Sequence, residues 1–151
     1  MHLWVGRLLS SNIADLSAFE SHGGRLIMFS GAADPFGPFA DHLNYYNRVC
    51  EAMGGVGRVT DFFKLFILPG KGHSSDGRGV NMFTSSDPAA DMIEVVRAWR
   101  EEGVIPSKLE TAHKYSDEMG GGYKFKRLIS AVTTPGNEGI DYPACTSKRL
   151  L

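Results

Sequence analysis

Two short apolar runs, each stopped by glycine and proline, organise the first half of this chain. Arg25-Leu26-Ile27-Met28-Phe29 leads into Ser30-Gly31-Ala32-Ala33-Asp34-Pro35, and Asp61 to Leu68 leads into Pro69-Gly70. Both runs are short and rich in aromatic and β-branched residues, which predicts buried strands. Between them, Leu43, Tyr46, Val49, Cys50 and Met53 recur at steps of three and four. That period predicts a helix over Phe39 to Met53 with one apolar face, closed by Gly54-Gly55. A shorter helix is predicted at Asp15 to Phe19, capped near Asn12 to Asp15 and closed by His22-Gly23-Gly24.

Downstream, Gly70 to Asn81 is glycine-rich, polar and irregular. Asp87-Pro88 predicts a helix start, with Asp87 as cap and Pro88 in the first turn. Met92, Val95, Val96 and Trp99 share its apolar face, and Gly103 ends it. Strand, helix, strand, helix in that order predicts parallel pairing with crossover helices, an α/β fold. Pro106-Ser107-Lys108-Leu109 to Tyr115 reads as a short edge strand, Gly120-Gly121-Gly122 as a break, and Tyr123 to Val132 as a further strand. No element is assigned beyond Thr133. These elements are too few for a complete doubly wound sheet covered on both faces.

Composition adds boundaries. The 151 residues allow one modest domain, and 42% hydrophobic content fits a globular chain. A net charge of -1 argues against nucleic-acid binding or a membrane surface, and no run approaches the ~20 apolar residues of a membrane span. Gly6 and Arg7 interrupt the apolar amino terminus, so no secretion signal is read there. Cys50 reads as a buried thiol, with a Cys50–Cys145 disulfide as the alternative. The spacing of His22, His42, His73 and His113 suggests no metal site, and Gly70-Lys71-Gly72 lacks phosphate-loop spacing. No cofactor is expected.

The candidate chemistry lies just past the two strands. Asp34 follows the first and His73 the second. Ligands of open α/β sheets bind at the carboxyl ends of the strands. Asp then His is the order of the last two members of a Ser…Asp…His triad. His73 suits a base because imidazole titrates near neutral pH, and Asp34 could hold its other ring nitrogen. Asp34 before Pro35 also suits an Asx-turn, which does not exclude the catalytic role. No G-x-S-x-G occurs in the chain. Ser74 lies in Gly72-His73-Ser74-Ser75-Asp76-Gly77, where the second glycine comes one position late and helix-poor residues follow. A loop role suits Ser74 better than that of nucleophile. Tyr45 and Tyr46 read as core or helix surface, with pocket lining as the alternative, and Met92 and Trp99 as core.

The succession Asp15-Leu16-Ser17-Ala18-Phe19, Gly23-Gly24-Arg25-Leu26-Ile27, Gly31-Ala32-Ala33-Asp34-Pro35, Tyr45-Tyr46 and Leu65-Phe66-Ile67-Leu68-Pro69-Gly70-Lys71-Gly72-His73 resembles the carboxyl-terminal part of the tannase and feruloyl esterase family. The resemblance is strongest over residues 8–110 and fades within the stretch 123–151, read as an irregular tail. It implies one partial domain over 1–151, the carboxyl-terminal part of an α/β-hydrolase fold, with a short, mostly parallel sheet and flanking helices. It also implies that Asp34 is the triad acid and His73 the triad base, for esters of phenolic acids such as ferulic and gallic acid. The family's nucleophilic serine would lie outside this chain. In the family a cysteine before that serine is bridged to one directly after the catalytic histidine; here Ser74 stands at the second position. Relatives of this type suggest secretion or a periplasmic location. An incomplete sheet would favour self-association.

Overall fold

The computed structural model describes residues 12–73, 77–83, 91–115 and 122–133. Its elements in order are α1 (Ser17–Ser21), β1 (Leu26–Gly31), α2 (Phe39–Ala52), α3 (Val56–Val59), β2 (Phe63–Leu68), β3 (Met82–Phe83), α4 (Met92–Glu102), β4 (Lys108–Lys114) and β5 (Tyr123–Ser130).

β1 and β2 pair in parallel, from Leu26 opposite Phe63 to Gly31 opposite Leu68. All six residues of β2 are buried, as a strand covered on both faces requires. One face packs on α2: Phe63, Leu65 and Ile67 join Leu43, Tyr46, Val49, Cys50 and Met53 in one core cluster. The periodic face read from the sequence is therefore the buried face of α2. On the opposite side, Phe66 and Leu68 join Val80, Leu109, Ile129 and Ala131, with Met92 and Val95 of α4 packed against them. Trp99 is fully buried. Cys50 is a buried free thiol rather than half of a disulfide, and Cys145 lies outside the described residues.

Parallel pairing stops at these two strands. β3, β4 and β5 form a second sheet in which both pairings are antiparallel. For β4 and β5 the length of the connection explains the change: only residues 115–122 separate them, and a short link favours an antiparallel return. The stretch 123–151 is thus not irregular throughout, because β5 occupies Tyr123–Ser130. β5 is mostly exposed, so it lacks the alternation of a half-buried strand. Just past it, the Val132 amide donates to the Leu65 carbonyl at 2.8 Å. The buried strand β2 is thereby gripped from its second side.

Helix α4 starts later than expected. Its cap is Asp91, whose carboxylate accepts from the Ile93 amide at 2.9 Å. Asp87 lies outside the described residues. Two Asp residues four positions apart each suit a cap, and Pro88 drew the expectation to the first. Among the described residues no helix is long and apolar enough to cross a membrane.

Candidate active site

β1 and β2 end side by side, and their loops stay joined beyond the ladder. The Ala32 amide donates to Leu68 O at 2.9 Å, and the Ala33 amide to Lys71 O at 3.0 Å. Gly31 permits this approach. A Cβ there would strike the Lys71 carbonyl oxygen and lie 3.0 Å from that of Gly72. Gly31→Ala is therefore expected to cost about 1–3 kcal/mol, because backbone must move to admit one methyl. Urea unfolding measures that cost, and an unchanged midpoint would refute the close approach.

This junction brings Asp34 and His73 together. Nδ1 of His73 lies 3.2 Å from Oδ1 and 3.1 Å from Oδ2 of Asp34. An ionised carboxylate only accepts, so Nδ1 carries the shared proton. In a neutral imidazole that leaves Nε2 free to take a proton. The Asp34 side chain is 13% exposed and that of His73 57%. The acid is sheltered while the base stays accessible.

The Asx-turn exists as well. Oδ1 of Asp34 accepts from the Phe36 amide at 2.8 Å and the Gly37 amide at 3.0 Å. One carboxylate thus folds its own loop and orients the imidazole. The Gly37 amide, then the Phe36 amide and His73, hold the Asp34 carboxyl below the usual carboxylate range, against an opposing effect of desolvation. A depressed folded-state value gives stabilisation that is complete above the unfolded value and is lost as pH falls through the folded one. Titration of the Asp34 carboxyl carbon by NMR is therefore expected to find it ionised below the ordinary aspartate range. A midpoint at or above that range would contradict the turn.

The loop bearing His73 is anchored at its far end. The Gly79 amide donates to Gly70 O at 2.9 Å. His113 of β4 donates from Nδ1 to Gly79 O. Asn81 donates to Lys114 O at 3.0 Å and accepts from the Lys114 amide at 2.8 Å. Sequence reading missed these two anchors, which act across the antiparallel sheet. It also missed Phe36, whose ring meets that of His73 edge-on at 5.2 Å and is 81% exposed. The signal for Phe36 was its place in Asp34-Pro35-Phe36-Gly37, where an Asx-turn fixes its direction. His42 Nδ1 lies 3.1 Å from Ser30 Oγ, tying α2 to the end of β1.

Other candidates fall away from this pair. Tyr46 is fully buried, and burial pushes its phenol up. The Tyr45 hydroxyl donates to Ile13 O at 3.0 Å. Ser74 lies outside the described residues. Among those residues no group of His, Cys, Asp and Glu is placed to hold a metal ion.

The geometry, an Asp–His pair above adjacent parallel strands, can be set beside known proteins. Residues 3–145 match the tannase and feruloyl esterase family. The chain belongs to that family. The match extends on both sides of the 8–110 stretch that carries the clearest motifs. Among curated members, an uncharacterized esterase of Xanthomonas campestris is 26% identical over 137 residues, which cover 78% of this chain and 24% of that protein. The probable feruloyl esterase B-2 of Neosartorya fischeri is 29% identical over 122 residues, covering 76% of this chain and 23% of its own. The crystal structure of an esterase from Aspergillus oryzae superposes with a TM-score of 0.70 at 24% identity, over 83% of this chain and 28% of that one. That likeness gives the fold, a partial α/β-hydrolase fold. The chain spans about a quarter of the length of these relatives.

Proposed function

We propose that this chain supplies the acid and base of a serine carboxylic-ester hydrolase acting on phenolic acid esters of the feruloyl or galloyl type. The observation that carries the reading is the Asp34–His73 hydrogen bond at the ends of two parallel strands. Membership of a family described as tannase and feruloyl esterase supports the reaction class. The exposed ring of Phe36 beside His73 suits an aromatic substrate.

In this reading a serine from outside the 151 residues attacks the ester carbonyl. His73 Nε2 takes the serine proton and passes it to the leaving alcohol. Water then repeats the sequence on the acyl-enzyme, releasing the acid. Asp34 holds the imidazole in the required tautomer and stabilises its protonated form. No G-x-S-x-G is present to position a nucleophile, so the 151-residue chain by itself is expected to be inactive. Incubation of the purified chain with methyl ferulate or a gallate ester tests this. Turnover lost on His73→Ala would place the nucleophile within the chain, and a fluorophosphonate probe would show whether it is Ser74.

A second reading, a non-catalytic esterase remnant kept for binding or assembly, is favoured by Ser74 standing where the family has a bridged cysteine. The coding sequence upstream of Met1 separates the two. A Cys-Ser in a glycine-rich setting supports the hydrolase, and unrelated sequence supports the remnant.

A further inference from the structure

At the rim of the parallel sheet opposite Asp34 and His73, three cations lie beside Trp99 or the Gly23 turn. Arg25 immediately precedes β1, and Lys64 is the second residue of β2, opposite Ile27. Both lie against the buried ring of Trp99 from α4: the Arg25 guanidinium carbon is 5.7 Å and Lys64 Nζ 6.0 Å from its centroid. Arg25 donates to the carbonyls of Gly23 and Gly24 at 3.4 and 3.0 Å. The guanidinium of Arg100, next to Trp99 in sequence, rests on the same turn; a Cβ on Gly23 would lie 3.0 Å from its Nη2.

Charges drawn under a low-dielectric roof lose hydration. Lys64 is only 7% exposed, and Nε of Arg25 is buried with no hydrogen-bond partner among the described residues. Burial pushes the Lys64 ammonium below the usual lysine range, against a smaller opposing effect of Asp61. Among the described residues no carboxylate hydrogen-bonds to Arg25, Lys64 or Arg100. Glu20, which also acts on Arg25 at longer range, is engaged by Arg58. The aromatic ring compensates part of the charge. The positive charge and the unused donors still call for an anion.

We propose that Arg25, Lys64 and Arg100 form a binding site for a small oxyanion, a phosphate or a carboxylate, at the amino-terminal rim of β1 and β2. Two guanidinium forks suit the paired oxygens of either group, and the lysine adds a point charge. The site is independent of the esterase chemistry on the other rim. An anion held there would bridge the Gly23–Gly24 turn, β2 and α4.

The test is titration of the 151-residue chain with inorganic phosphate, and separately with acetate, at ionic strength held constant by chloride. Melting temperature and tryptophan fluorescence are followed. Phosphate or acetate at ten times its Kd is expected to raise the melting temperature by about 3 °C relative to chloride. The better of the two identifies the ligand class. Lys64→Met and Arg100→Gln are each expected to weaken binding at least tenfold. Arg100→Gln, an exposed side chain, decides the matter should Lys64→Met fail to fold. Equal melting in all three salts, or undiminished affinity in Arg100→Gln, would overturn the proposal.

Discussion

His73→Ala is expected to lower kcat/KM for an aromatic ester by about 10⁴–10⁶-fold in the polypeptide that joins these residues to their nucleophile. The size follows from the geometry. Nδ1 is committed to Asp34, so in the proposed scheme Nε2 is the nitrogen left to take the serine proton and return it. Alanine at position 73 removes both transfers at once. Asp34→Asn should cost about 10⁴-fold, since an amide can hold the ring by donating to Nδ1 and so fix the wrong tautomer. That variant also changes the acceptor that folds the Phe36–Gly37 turn, so its KM is expected to move as well. Steady-state kinetics with both variants check the scheme. Activity within tenfold of the parent in both would remove Asp34 and His73 from the reaction.

Phe63→Ala is the substitution expected to cost most in stability. The ring is fully buried and meets Tyr46 edge-on at 5.1 Å and Tyr45 at 6.2 Å. It sits where β2 faces α2, and position 63 is the first rung of the parallel ladder. Removing a buried phenylalanine ring costs about 3–5 kcal/mol through lost transfer energy and the cavity left behind. Domains are stable by only about 5–15 kcal/mol, so one such loss takes a large share. Denaturant unfolding of parent and variant gives the difference directly. A cost under about 1 kcal/mol would mean that the core does not close on this ring.

The elements that could be read from the sequence were those whose pattern is set by one buried face or by continuous burial. α2 shows its core stripe at Leu43, Tyr46, Val49, Cys50 and Met53, and β2 shows an unbroken apolar run because it is covered on both sides. Asp34 and His73 could be singled out because each follows such a run within a few residues. The antiparallel sheet was legible in part. Its two longer strands were expected, one ending at Tyr115 and one over Tyr123 to Val132, and β4 and β5 occupy Lys108–Lys114 and Tyr123–Ser130. β3 has two residues, too few to show a period, and the antiparallel pairing joins residues far apart in the chain. Lys124, Lys126 and Arg127 along β5 deter pairing with other chains. The start of α4 was placed at Asp87 because Pro88 is a strong local signal, whereas Asp91 declares itself only through its bond to Ile93. Nor could His113 be recognised as an anchor, since its partner is a backbone carbonyl far away in the chain.

The bond from the Val132 amide to the Leu65 carbonyl has a bearing on biosynthesis. A ribosome emits the chain from its amino end, so β1, α2 and β2 emerge before position 132, with one flank of β2 bare. Its covering segment is made much later. Until then β2, whose six residues are all buried once the chain has folded, remains open to stray pairing, and the interval before position 132 leaves the exit tunnel is one of exposure to misassociation.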